Sequence, residues 1–117
     1  MYFGNTNQLQ GTPITTLDIV GHEMAHGVTG TSARLKYQGE SGALNEAFSD
    51  IFGTLVEYYT FNKVIDSKTW KLADKHPDPR LKRDLSNPKL HKQPDTYQGT
   101  NWASTTGGDY GGVHTNS

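Results

Sequence analysis

Leu17, Val20, Met24 and Val28 recur at intervals of three and four, the spacing of a single stripe along an α-helix. Ile19, His22, Glu23 and His26 fall on another side of the same helix. The pattern predicts a helix that opens near Thr15, a residue type suited to an N-cap, with Asp18 three positions on as the acid of a capping box. Gly27 weakens its end and Gly30 is the expected stop. The apolar stripe is assigned to the core and the His-Glu-His side to a site. A second helical period runs over about residues 42–59, with Ser41 as N-cap and Leu44, Ala47, Phe48, Ile51, Leu55 and Tyr58 as its apolar set. Glu46, Asp50, Gly53 and Glu57 line a different face. Three carboxylates on one face of a largely buried helix are costly unless a cation neutralises them.

Outside these helices the pattern breaks down. Residues 33–40 form a connector that carries Tyr37. Residues 62–98 contain Pro77, Pro79, Pro88 and Pro94, which stop any helix beyond a turn or two. Trp70 and Leu72 are the expected anchors of that stretch, and His76 and His91 are expected to be solvent-exposed bystanders. Residues 101–112, rich in Gly, Ser and Thr, read as a flexible surface approach to His114. Near the start, Tyr2-Phe3 could close a strand, but nothing there could form a sheet alone.

Composition limits the alternatives. A chain of 117 residues with a 32% hydrophobic fraction makes one small domain with a modest core. Mean hydropathy of −0.72 agrees. A formal charge of −1 offers no electrostatic argument for nucleic acid or an anionic membrane, so neither is expected as a partner. No apolar run reaches the length of a transmembrane helix, and the N-terminus lacks the charged and apolar regions of a signal peptide. With no cysteine, disulfides are excluded.

Chemistry enters with His22-Glu23-Met24-Ala25-His26, an H-E-x-x-H motif. On a helix, positions i and i+4 share a face, so both imidazoles can address one ion. A catalytic zinc takes three protein ligands and keeps a position open. Glu46, twenty residues after His26, is the candidate third ligand. Glu23 is then free to take a proton from water beside the metal. Imidazole nitrogen favours zinc over calcium or magnesium. Asp50, one turn beyond Glu46, falls near the same ion. The metzincin pattern requires Gly and His where this chain has Thr29 and Ser32, so that class is excluded.

Asn45-Glu46-x-x-Ser49-Asp50 follows the first motif, and Gly111-Gly112-Val113-His114-Thr115-Asn116-Ser117 comes late in the chain. In that order the three motifs resemble the thermolysin family of zinc endopeptidases, from about Asp18 to the last residue, with a looser match over 62–81. The resemblance implies a mostly α fold with short β and irregular loops, the zinc-binding helical core of a two-lobed α+β metalloprotease. Residues 1–14 would end an N-terminal β-rich lobe, and 15–117 would hold the zinc helices and the start of an α-helical lobe, cut short at its C-terminus. It implies one catalytic zinc on His22, His26 and Glu46, with Asp50 holding His22 and the Asn45 region holding His26. Glu23 would be the general base. His114 and Tyr37 would stabilise the oxyanion, with Asp109 orienting His114. Arg83, with Arg80 close by, would grip a substrate carbonyl. Asp18 and Glu57 match calcium positions of the family. The chain departs from it around Trp70, where Thr69 and Lys71 stand and only Asp74 is acidic, which argues against a double calcium site.

The implied activity is hydrolysis of internal peptide bonds on the N-side of bulky apolar residues, with Ile19 lining the pocket. The partners would be a peptide or protein substrate and the enzyme's own pro-segment, and the location extracellular. Two rivals remain: a zinc-binding fragment without catalytic power, and an exopeptidase, which His114-Thr115-Asn116-Ser117 argues against. By this reading the 117 residues expressed alone would be a poor peptidase.

Overall fold

A computed structural model describes residues 16–61 and 64–117. The strand at Tyr2-Phe3, the cap at Thr15 and the division at 14/15 lie at or beyond the edge of the described residues.

Two helices, α1 (Leu17–Thr31) and α2 (Gly39–Thr60), pack against each other. The N-cap of α1 is Thr16, whose side chain makes no capping bond. Asp18 does not close a capping box on it. Its carboxylate accepts the backbone N–H of Ile19 at 2.9 Å and of Ala73 at 2.5 Å, tying α1 to a later loop. The helix passes Gly30 and ends at Thr31, where Thr31 and Ser32 hydroxyls donate to the Val28 carbonyl. α2 starts at Gly39, earlier than expected, with Gln38 as N-cap. Ser41 lies within it and donates to the carbonyls of Lys36 and Gln38.

The assignment of faces is reversed. Met24 and Val28 are 63% exposed, and Leu44, Phe48, Ile51 and Leu55 are 42–47% exposed. The helices meet instead through Asp18, Ile19, Gly21, His22, Ala25 and Thr29 on α1 and through Gly42, Ala43, Asn45, Glu46, Ser49, Asp50, Gly53 and Thr54 on α2. Small residues let the axes approach closely, and His22–Asp50 and His26–Asn45 hydrogen bonds cross the contact, which offsets the burial penalty of those groups. Periodicity shows that a side is apolar; it does not show which side meets the neighbouring helix.

Beyond α2, the two-residue strands β1 (Lys71–Leu72) and β2 (Arg83–Asp84) pair antiparallel, Lys71 opposite Asp84 and Leu72 opposite Arg83. Short 3₁₀ turns occupy Pro79–Leu81 and Pro88–His91. Leu72 is the anchor, fully buried with Ile19 and Ala73 and covered by Leu81, whereas Trp70 is 41% exposed. His91 is exposed, but His76 is buried to 2%. The loop folds over His76, its Nδ1 accepting the Asp78 N–H at 3.0 Å. Residues 101–112 are pinned: the Asn116 amide accepts from Ala103 N at 2.8 Å and donates to Ala103 O at 3.0 Å. Among the described residues no helix is long and apolar enough to cross a membrane.

Candidate metal centre

Where α1 crosses α2, the i, i+4 pair His22 and His26 faces Glu46. The ligand atoms of these three residues lie within 4.8 Å of one another. His22 and Glu46 are buried and His26 is half-buried. Each ring is held from behind. His22 Nδ1 lies 2.7 Å from Asp50 Oδ1, and His26 Nδ1 lies 2.8 Å from Asn45 Oδ1. Both of these partner oxygens only accept, so both Nδ1 atoms carry a proton, and each ring, once its Nε2 proton is lost to a metal, presents an Nε2 lone pair.

Those lone pairs converge. The two Nε2 atoms are 3.0 Å apart, with Glu46 Oε1 3.2 Å from that of His26 and Glu46 Oε2 3.4 Å from that of His22. Glu46 Oε2 is buried without a hydrogen-bond partner. Electron pairs this close repel unless a positive charge sits among them, and two nitrogens plus one carboxylate are a zinc donor set. The residues therefore fit the metal. Burial works against charging the His22 ring, but Asp50 and Glu46 outweigh it and push its pKa up to about 9. Glu46 itself raises the pKa of His26. Burial likewise opposes the Glu46 charge, yet hydrogen bonds from His22, His26 and Tyr37 hold its carboxyl far below the usual carboxylate range. Protons compete with a metal for these sites, so zinc affinity should rise with pH.

A second layer supports the first. Arg83 Nη2 donates to Asp50 Oδ1 at 2.6 Å, on the oxygen that holds His22. Asp50 is thus the hub of an Arg83–Asp50–His22 chain, and only 1% exposed. Arg80 is engaged elsewhere, paired with Asp78. Converting Asp50 to Ala should weaken zinc binding about 10- to 100-fold through loss of ring orientation. Glu57→Ala should leave it unchanged. Equal zinc affinities for the two variants, measured by competition with a chromophoric chelator, would show the acidic face of α2 to be wrongly divided.

On the open side, the Tyr37 hydroxyl donates to Glu46 Oε1 and lies 3.2 Å from His114 Nε2. Burial and the Glu46 charge raise the pKa of Tyr37, so it keeps its proton as a donor at neutral pH. His114 is positioned from the other ring nitrogen: Nδ1 is 2.5 Å from Asp109 Oδ1, and its backbone N–H donates to Asp109 Oδ2 at 3.0 Å. Asp109 can reach both because Gly108–Gly112 is a left-handed turn, with φ of 56° at Asp109, 50° at Tyr110 and 85° at Gly111. At Gly111 a Cβ would strike the Thr105 carbonyl, so only glycine closes the turn. Glu23 is half-buried next to His22 and near enough to Tyr37 for its charge to raise that pKa.

The calcium positions look different. Both Asp18 oxygens accept backbone N–H groups, and Glu57 Oε1 is paired with Lys75 Nζ at 2.5 Å. Calcium needs six to eight oxygens. Among the described residues these two carboxylates join no group of three converging ligand side chains, and Lys75 supplies the positive charge beside Glu57.

Sequence reasoning missed three contributors. Ser49, fully buried, places its hydroxyl 3.1 Å from His26 Nδ1. Its place one turn beyond Asn45 could have indicated this. Buried Gln93 donates to the His114 carbonyl at 2.9 Å and braces the loop that carries His114, and Lys75 neutralises Glu57. Neither has a local signal.

The geometry brings two histidines and one glutamate from the packed helices α1 and α2 into a group that could hold a metal ion, flanked by a tyrosine and a histidine. Residues 33–117 match the model of the thermolysin metallopeptidase α-helical domain, and residues 1–30 match that of the thermolysin metallopeptidase catalytic domain. The chain belongs to the thermolysin metallopeptidase family. It is 43% identical to the neutral protease NprE of Bacillus pumilus over 121 aligned positions, covering 100% of this chain and 37% of that protein. Against bacillolysin of Bacillus subtilis (strain 168) identity is also 43%, over 100% of this chain and 21% of the relative. Against thermolysin of Alicyclobacillus acidocaldarius subsp. acidocaldarius it is 46%, over 86% and 18% respectively. The chain thus spans well under half the length of the relatives it matches.

Proposed function

We propose that these residues form the catalytic core of a zinc endopeptidase. The supporting observation is the convergence of His22, His26 and Glu46 lone pairs beside the hydrogen-bonded pair Tyr37 and His114. When bound, zinc supplies Lewis acidity, polarising a carbonyl and lowering the pKa of water. Glu23 takes the proton from the attacking water and passes it to the leaving amine. Tyr37 and His114 donate to the oxygen that becomes negative, and Asp109 holds the His114 ring in the required orientation. Arg83 keeps Asp50, and through it His22, in place. This contact favours a supporting role over direct capture of a substrate carbonyl.

The substrate class is an internal stretch of peptide, and the related neutral proteases favour reading the parent protein as secreted with a removable pro-segment. A preference for a bulky apolar residue after the cut, with Ile19 near that pocket, belongs to the same proposal. The competing reading is a zinc-binding segment without turnover. It draws support from the 49% exposure of the His114 side chain, which leaves the ring open to water where an oxyanion donor acts best in a water-excluded site.

A peptide blocked at both ends tests the proposal in an enzyme carrying this core. Cleavage that is abolished by a chelator and restored by zinc is expected. Hydrolysis that survives chelation would exclude it, and zinc binding without hydrolysis would favour the competing reading. His114→Ala should lower kcat about 10²- to 10³-fold with zinc retained, as loss of one oxyanion donor does.

A further inference from the structure

At Gly53 the backbone of α1 lies too near α2 to admit a side chain. Gly53 lies seven residues after Glu46 and three after Asp50, on the face of α2 that meets α1. A Cβ built there would overlap the Asp18 carbonyl oxygen and lie 3.1 Å from the His22 backbone nitrogen. Those two atoms belong to the i, i+4 ladder of the turn that carries His22. From α1, a Cβ at Gly21 would meet Gly53 Cα at 3.1 Å and Val56 Cβ at 3.2 Å, a tight but far smaller intrusion. Gly27, on the same helix, has open space around it.

We propose that Gly53 is a positioning residue for the metal centre: its missing side chain sets the helix separation at the level of His22 and Asp50, and so how His22 addresses zinc. This rests on the zinc reading above. The bond most exposed to a change in that separation is His22 Nδ1 to Asp50 Oδ1, at 2.7 Å. A methyl group at position 53 drives the helices apart by about 1 Å, a displacement large enough to disable a preorganised site. The hydrogen bond then lengthens beyond useful range and the ring is free to rotate.

The test compares the 117-residue chain with its Gly53→Ala and Gly27→Ala variants, alone and in an Asp50→Ala background. Zinc affinity comes from chelator competition, and helical circular dichroism is recorded on the same zinc-saturated samples. Gly53→Ala should weaken zinc about 10- to 100-fold while the helical signal is kept, and Gly27→Ala should not change affinity. In the Asp50→Ala background, where the His22 tether is already gone, Gly53→Ala should cost less than about 3-fold, the non-additivity expected when two changes act through one contact. Parent-like affinity in Gly53→Ala would overturn the proposal, as would an undiminished effect in the Asp50→Ala background. Loss of the helical signal at saturating zinc would also overturn it, by making Gly53 a requirement of the fold and not of site geometry. Failure of the unsubstituted chain to bind zinc would refute the underlying metal reading instead.

Discussion

Replacing Glu23 by glutamine should lower peptide hydrolysis about 10²- to 10⁴-fold and leave zinc content unchanged. Glutamine keeps the length and hydrogen-bonding shape of glutamate but cannot accept a proton at neutral pH. Glu23 is adjacent to His22 yet is not one of the three residues whose ligand atoms converge. The metal site should therefore survive the change while the proton route does not. Glu23 is half-buried beside His22, and its charge contributes to the raised pKa of Tyr37. The experiment needs an active enzyme carrying this core, zinc stoichiometry, and kcat/KM on a blocked peptide. Near-normal turnover with zinc intact would remove Glu23 from the mechanism.

Glu46→Ala has the larger effect on binding. Glu46 is 1% exposed, accepts from Tyr37, and sits within 3.5 Å of Nε2 on His22, His26 and His114. Its loss removes the one negative charge among the converging lone pairs and leaves two imidazoles, too few to complete a zinc site. Zinc affinity should fall more than about 10²-fold, beyond the loss expected for an outer partner such as Asp50. Tyr37 would lose its acceptor, so the link from the metal centre to His114 should loosen as well. A Glu46→Ala chain that retains zinc like its parent would mean that the third ligand lies elsewhere.

The chemistry was far more legible in the sequence than the packing. Glu46, on the other helix, was named from its motif and the family resemblance, whereas His22 and His26 could be paired because helical periodicity is local. Asp50 followed for the same reason, one turn from Glu46. Tyr37, Asp109 and His114 could not be brought together from spacing, since they meet through a left-handed turn whose φ values no propensity anticipates. For those residues the family resemblance carried the assignment, and the structure adds the contacts. The helix faces were misread because hydrophobicity marks a side that excludes water without naming its partner. Phe48 and Leu55 point outward while Ser49, Asp50 and Gly53 are buried. His76 was misplaced because a proline-rich loop was taken to be open, whereas Asp78 and Ala73 fold it over the ring.

Zinc X-ray absorption on the metal-loaded chain tests the central claim most directly, with total zinc counted on the same sample. One zinc per chain is expected, with two imidazole nitrogens and a carboxylate oxygen at about 2.0–2.2 Å. Substituting His22, His26 or Glu46 should abolish the stoichiometric signal. Zinc held without imidazole scattering, or retained at full stoichiometry after any of the three substitutions, would contradict the assignment of the metal centre.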